Sequence, residues 1–68
     1  MAVGVTLTYE QQVFYIAEAI DGDYSSVRSI AVASAAYALS LAHSKGVAEV
    51  TADIKASMAE QAKAKGKS

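Results

Sequence analysis

The stretch from Asp23 to Gly46 reads DYSSVRSIAVASAAYALSLAHSKG and decides the fold class. Its uncharged middle contains neither Pro nor Gly, and most of its residues favour or tolerate a helix. Asp23 can cap the N-terminus, while His43 and Lys45 complement the negative end of the helix dipole and Gly46 fits the C′ position. The stretch therefore predicts one long central helix over residues 23–45, about six turns in length.

Large and small side chains lie on different faces of this predicted helix. The large stripe, with spacings of three and four residues, comprises Val27, Ile30, Ser34, Tyr37 and Leu41. The small stripe comprises Ser29, Ala33, Ala36, Ser40 and His43. Small side chains let another helix approach closely, and a helix that is apolar or small nearly all round is normally covered on several sides. The small face is therefore either partly exposed in a bundle or buried between subunits.

These stripes divide the apolar residues into a predicted core and a predicted self-association surface. The core is expected to hold the larger side chains of three helices, namely Val13, Phe14, Ile16, Ile20, Val27, Ile30, Tyr37, Leu41, Ile54 and Met58. The self-association surface is expected to combine an N-terminal arm with the small face and its neighbours, namely Val3, Val5, Leu7, Ser29, Val32, Ala33, Ala36, Leu39 and Ser40. Leucine in place of Ala33 or Ala36 is expected to overpack such a close helix contact.

The segment before the central helix predicts a shorter amphipathic helix over residues 8–20. Thr8 and Gln11 have the spacing of a capping box at its start. Residues 21–23, Asp-Gly-Asp, are expected to form a tight turn, which makes the first two helices an antiparallel hairpin. The alternation of residues 1–7 indicates an extended arm that packs on a neighbouring subunit, or else a disordered start.

The segment after the central helix predicts a third helix over residues 51–63, with the alternative that it begins immediately after Gly46. Residues 64–68 are expected to form a solvated basic tail. The fold class is therefore all-α, a helical hairpin plus a third C-terminal helix in one small domain.

Length and composition indicate that a single copy has little core of its own. The chain has 68 residues with one Phe, four Tyr, no Trp and no Cys, and much of its 53% hydrophobic content is Ala. A chain of this length buries only about 60% of its unfolded surface, so disulfides, metals or partners usually add stability. Without Cys and with one His, disulfides and zinc clusters are excluded, and oligomerisation is the remaining means.

No pattern of catalytic residues occurs along the chain. There is no Gly-rich phosphate loop, no nucleophile elbow and no dinucleotide fingerprint, so neither a catalytic residue nor a cofactor or metal site is expected. The one His, His43, is expected to pack at a helix end, with a ligand or base role as the alternative. The uncharged run of the central helix is shorter than the roughly 20 residues that span a bilayer, so no membrane span is expected. No secretory signal is recognised, and the chain is expected in the cytoplasm or in an assembled particle.

Together these features predict a non-enzymatic structural protein, a small helical subunit that assembles with copies of itself. A ring, a filament and a closed bundle all remain open, and a virion or surface assembly would suit so short a subunit. The alternative is an interaction or inhibitor module that docks a helix face on a partner protein. Nucleic-acid binding through Lys63, Lys65 and Lys67 is disfavoured by the net charge of −1.

Overall fold

Residues 6–66, which the computed structural model describes, form three α-helices packed around one small core. The helices are α1 (Tyr9–Asp23), α2 (Arg28–His43) and α3 (Val47–Gly66), and a 3₁₀ turn (Ser25–Val27) joins the first two. α3 packs against both α1 and α2, and α1 also contacts α2. The predicted all-α fold with a third C-terminal helix is confirmed. Most of the predicted N-terminal arm, including Val3 and Val5, lies outside the described residues.

The start of α1 is fixed by the predicted capping box. The Thr8 hydroxyl accepts the Gln11 N–H at 3.1 Å, and the Gln11 side-chain oxygen accepts the Thr8 N–H at 2.9 Å. Glu10 lies in the first turn, where its charge complements the positive end of the helix dipole. Because the two bonds satisfy two otherwise unpaired backbone donors, these residues determine the helix start locally.

The predicted turn at residues 21–23 is wrong, because these residues form the last turn of α1. Asp and Gly cost at most about 1 kcal/mol each within a helix, so the buried packing of Ile20 can override them. The chain turns instead through the 3₁₀ segment, and α2 begins at Arg28 without a side-chain cap. Asp23 therefore does not cap α2. The single helix predicted over residues 23–45 is split into two elements.

The connection between α2 and α3 is two residues shorter than predicted. Ser44 adopts the left-handed conformation, with φ 53°, and the Lys45 N–H donates to the Ser40 carbonyl at 3.0 Å. This hydrogen bond has the pattern of a Schellman motif, in which the left-handed residue ends the helix. The structure gives this role to Ser44 and not to Gly46. Gly46 instead accepts the Val50 N–H at 3.0 Å, at the start of α3.

α3 is longer at both ends than the predicted helix over residues 51–63. It begins immediately after Gly46, which is the alternative start, and it continues to Gly66. Residues 64–66 are therefore helical, while residues 67 and 68 of the predicted basic tail lie outside the described part. Lys65 contacts the Asp21 carboxylate at 3.3 Å, and Arg28 contacts the same carboxylate at 2.8 Å. Exposed ion pairs of this kind are worth about 0–1 kcal/mol each.

The core is built largely from small and medium side chains. Its buried members are Val13, Ala17, Ile20, Val32, Ala36, Leu39, Val50 and Ile54. Ala17 and Ala36 are both completely buried, and alanines at such positions let helices approach closely. Ser40 is also buried, and its hydroxyl donates to the Tyr37 carbonyl at 2.7 Å. Within residues 6–66 every buried side-chain polar atom has a hydrogen-bond partner.

The prediction of the core is correct for α1 and α3 in most positions and wrong for α2. Val13, Ile20 and Ile54 are buried, and Ile16 and Met58 are half-buried against them. The remaining predicted core residues are exposed, namely Phe14, Val27, Ile30, Tyr37 and Leu41. The physical reason is that α2 turns its smaller face toward α1 and α3, so the large stripe on the opposite face lies outside.

Four residues predicted for self-association lie instead in the interior of the single chain, namely Val32, Ala36, Leu39 and Ser40. Their assignment to a surface is therefore corrected. Ser29 and Ala33 of the same predicted surface are exposed, and Leu7 is half-buried. The large stripe of α2 is therefore exposed, and part of the predicted self-association surface belongs to the core.

Candidate interaction surface

The exposed side of α2 presents a row of large apolar side chains. We call this row the α2 stripe and define it as Ile30, Ser34, Tyr37 and Leu41 of α2 together with Val27, which immediately precedes the helix. Ile30, Tyr37 and Leu41 are 67%, 61% and 66% exposed, and Val27 is also exposed. An isolated exposed apolar residue is ordinary, whereas a contiguous row marks an interaction surface more often.

Helix geometry explains why the row is continuous. Successive stripe positions are three or four residues apart, so they lie one above the other on one side of α2. The buried positions Val32, Ala36 and Leu39 follow the same spacing on the opposite side. Residues 29–42 carry no charge, so no charged side chain interrupts the exposed side of α2.

A groove between α1 and α2 extends this apolar surface. It has a volume of about 570 Å³ and carries no charged residue. Ile16 and Ala19 of α1 line one wall, Ile30 and Ala31 of α2 line the other, and Tyr24 also lines the groove. Tyr24 is itself about half exposed. The stripe and this groove therefore form one uncharged surface that spans both helices of the hairpin.

A second groove, between α2 and α3, has a mixed character. It has a volume of about 490 Å³ and contains Ser29 and Ala33, the two exposed residues of the predicted small face. Arg28 and Lys55 also line it, so two cations flank its apolar floor. Arg28 is already paired with Asp21. This groove suits a polar contact better than the uncharged surface on the other side of α2 does.

A polar cluster connects the three helices on another part of the molecule. The Tyr9 hydroxyl donates to the Asp53 carboxylate at 2.6 Å. The His43 ring meets the Tyr9 ring edge-on at 5.2 Å between centroids, and Lys45 Nζ lies 4.6 Å from the centre of the Tyr9 ring. The His43 Nε2 is hydrogen-bonded to the Gln12 side-chain oxygen. Since an amide oxygen can only accept, the ring nitrogen is the donor.

The electrostatics of this cluster favour a structural role. Burial raises the pKa of Tyr9 most, the hydrogen bond to Asp53 raises it further, and the negative charges of Asp53, Glu49 and Glu10 add to both. A tyrosine whose pKa is raised holds its proton firmly and is a poor base or nucleophile. His43 lies in the last turn of α2, at the helix end where the sequence placed it. Both rings thus hold helices together.

The hydrogen bond from Tyr9 to Asp53 is a structural contact that no sequence pattern predicted. The two residues are 44 positions apart, and neither belongs to a local motif. No short-range spacing reports such a contact, because it depends on how α3 is placed against α1.

We expect Tyr9→Phe to lower the free energy of unfolding by about 1–2 kcal/mol at pH 7, since it removes the donor to a half-buried carboxylate. The change should also alter the pH dependence. Folded Tyr9 keeps its proton where an unfolded tyrosine loses it, above about pH 10, so the wild type loses stability as the pH rises through that range. The Tyr9→Phe variant has no hydroxyl to titrate at this position, so this pH-dependent loss of stability is absent from it. Urea unfolding at pH 8 and pH 11 measures both effects.

Tyr15→Phe is the matched control, because Tyr15 is exposed and lies outside the cluster. The control should leave the unfolding energy at pH 7 nearly unchanged. An equal stability difference between the two pH values in wild type and Tyr9→Phe would contradict the assignment.

Metal binding and membrane insertion find no support in the described part of the chain. Residues 6–66 contain no cluster of three or more His, Cys, Asp or Glu side chains that could hold a metal ion. Of the helices described, none is both long enough and apolar enough to cross a bilayer.

Comparison with known proteins assigns this chain to no family. No protein-family model matches the chain, and neither a curated protein nor a solved structure matches it. The function of this chain must therefore be inferred from its exposed surface and its core.

Proposed function

We propose that this chain is a non-enzymatic structural subunit that assembles with copies of itself into a homo-oligomer through the α2 stripe. The observation that carries the proposal is the exposure of Ile30, Tyr37 and Leu41 on one uncharged helix face. Burial of a side chain of this size contributes about 1.5–3 kcal/mol of stabilisation, which is absent while the side chain remains in water. A partner surface that covers them recovers that energy.

The contrast with the core strengthens the proposal. The largest completely buried side chains are Ile54 and Val50, whereas Phe14, Tyr37 and Leu41 are exposed. Globular proteins normally bury their larger apolar residues first. A subunit that keeps its smaller residues for its own core and presents its larger ones is organised like one part of a larger assembly.

The remaining surface does not favour catalysis as an alternative. The one His donates a hydrogen bond to Gln12, and the tyrosine beside it holds its proton toward Asp53. General acid–base catalysis requires a group that gives or takes a proton near neutral pH within reach of a substrate. The polar cluster therefore stabilises the bundle, whereas the apolar surface is suited to binding another protein surface.

We expect the wild-type protein to have a solution mass well above 7.0 kDa, rising with concentration. Leu41→Glu should shift the assembly to at least about 30-fold higher concentration, because a buried unpaired carboxylate costs on the order of 2–5 kcal/mol. Light scattering after gel filtration measures the mass across a concentration series. Circular dichroism of the same fractions shows whether the variant keeps its helices.

Ala59→Glu is the matched control for the added charge. Ala59 is exposed on α3, away from the α2 stripe, so this variant should assemble as the wild type does. A folded wild-type monomer of 7.0 kDa at every concentration would refute self-assembly. In that case the stripe would have to serve a different protein.

A further inference from the structure

We infer that the α2 stripe is covered by the α2 stripe of a second copy that runs antiparallel to it, with Ser34 facing Ser34 on a twofold axis. This inference rests on the proposed function and specifies the partner and its orientation. It follows from four properties of the stripe, which are its spacing, the small residue at its centre, its lack of charge and its area.

The large side chains of the stripe are nearly symmetric about Ser34. Val27 and Leu41 lie seven residues on either side of Ser34, and Ile30 and Tyr37 lie four and three residues from it. Reversing the helix about Ser34 therefore places Val27 opposite Leu41 of the second copy. It also places Ile30 within one residue of Tyr37, an offset of about 1.5 Å along the helix, so that large side chains meet large ones at both ends.

The small residue at the centre permits the close approach that this pairing needs. Ser34 is the one stripe member without a large side chain, and it is exposed. Helices pack with their axes about 8–10 Å apart, and the shorter distances require small side chains at the crossing point. The serine hydroxyl can bond to its own helix or to its counterpart, so it need not remain unpaired.

The charges of the surface favour a second copy that is antiparallel. Tyr37 is the one ionisable side chain of the stripe, so a strongly charged partner would gain nothing from it. The identical stripe is equally uncharged. Two helices that run in opposite directions also bring the positive end of each dipole near the negative end of the other.

The area of the surface fits a dimer. The exposed parts of the five large side chains Tyr24, Val27, Ile30, Tyr37 and Leu41 amount to roughly 600 Å² per copy, taking about 150–250 Å² for a large side chain. Specific interfaces bury about 800 Å² per partner, and the small residues between the large ones supply the rest. A contact between identical surfaces closes on itself, so this face makes dimers and any further growth needs another face.

Disulfide cross-linking distinguishes the antiparallel dimer from other arrangements, because the chain has no Cys of its own. Val27→Cys and Leu41→Cys proteins are prepared separately, mixed and oxidised mildly. Cα atoms must lie within about 7 Å to form a disulfide. The antiparallel dimer brings these two positions together, whereas in a parallel dimer they are about 21 Å apart along the helix. We expect at least about tenfold more mixed disulfide than either homodimer.

Two further single variants define the register and the background. Ser34→Cys alone should cross-link to itself, because this position faces its counterpart on the axis. Ala59→Cys, exposed on α3, should not cross-link above the level of random collision.

The outcomes separate the inference from the proposed function. Homodimers of Val27→Cys and of Leu41→Cys, in excess over the mixed product, would mean parallel helices and would overturn the inference alone. A large solution mass without cross-linking at any stripe position would assign assembly to another face, and would overturn both the inference and the role of the stripe in the proposed function while leaving self-assembly standing. A monomeric wild type would overturn both the inference and the proposed function.

Discussion

Ile54→Ala is expected to lower the free energy of unfolding by about 2–5 kcal/mol, which is typical of a large-to-small change in a packed core. Ile54 is completely buried at the centre of α3 and belongs to the cluster that joins all three helices. A domain of this size has a total stability of roughly 3–10 kcal/mol. A loss of that size removes a large fraction of this stability, and urea unfolding followed by circular dichroism at low protein concentration measures it.

Ile30→Ala is the matched control, since it removes the same atoms from an exposed site of α2. Ile30 is 67% exposed, so in dilute solution its loss should change the unfolding energy by less than about 0.5 kcal/mol. At high concentration the same variant should weaken assembly. Equal destabilisation by the two changes at low concentration would mean that the face of α2 assigned to solvent is buried.

Ala36→Leu is expected to destabilise the fold by about 1–3 kcal/mol or more, because a larger side chain has no space at a completely buried alanine. The helices would have to move apart, which also loosens the packing around Ala17. Thermal unfolding of wild type and variant at equal low concentration measures this effect.

Ala33→Leu provides the comparison three residues earlier on the same helix. Ala33 is exposed and lines the open groove between α2 and α3, so leucine there should be tolerated within about 0.5 kcal/mol. The sequence pattern placed both alanines on one close-contact stripe, whereas the structure separates them. A variant at Ala36 as stable as the wild type would show that the helices do not pack closely there.

Three of these four variants lie on α2, and they measure different energies on its different sides. Changes on the buried side of α2 should affect folding at every concentration. Changes on the stripe should affect mainly the concentration dependence, because only assembly covers them. The division follows from the orientation of α2, with Ala36 facing inward and Leu41 facing water.

Local sequence determined the helical elements of this protein. The capping box of Thr8 and Gln11 marks the start of α1, and its hydrogen bonds involve residues only three positions apart. The all-α class follows from uncharged and amphipathic segments without Pro, and it is confirmed. Such features are predictable because the interactions that produce them lie within one or two helical turns.

Helix boundaries were less predictable where two weak preferences compete. Asp21 and Gly22 favour a turn by at most about 1 kcal/mol each, and the packing of α1 keeps them helical. In the same way, Ser44 takes the left-handed position although Gly46 is the better residue for it. The lengths of α2 and α3 and the contacts between them decide which residue lies at the bend.

The sequence by itself determined that α2 carries a stripe of large side chains, and only the tertiary structure decided that this stripe is exposed while the side with Val32, Ala36 and Leu39 is buried. Both faces have helical spacing, so periodicity cannot rank them. Small residues such as Ala36 let helices pack closely, and in this bundle that packing places the larger residues outside. The bond from Tyr9 to Asp53 has the same origin, because residues 44 positions apart meet only when α3 lies against α1.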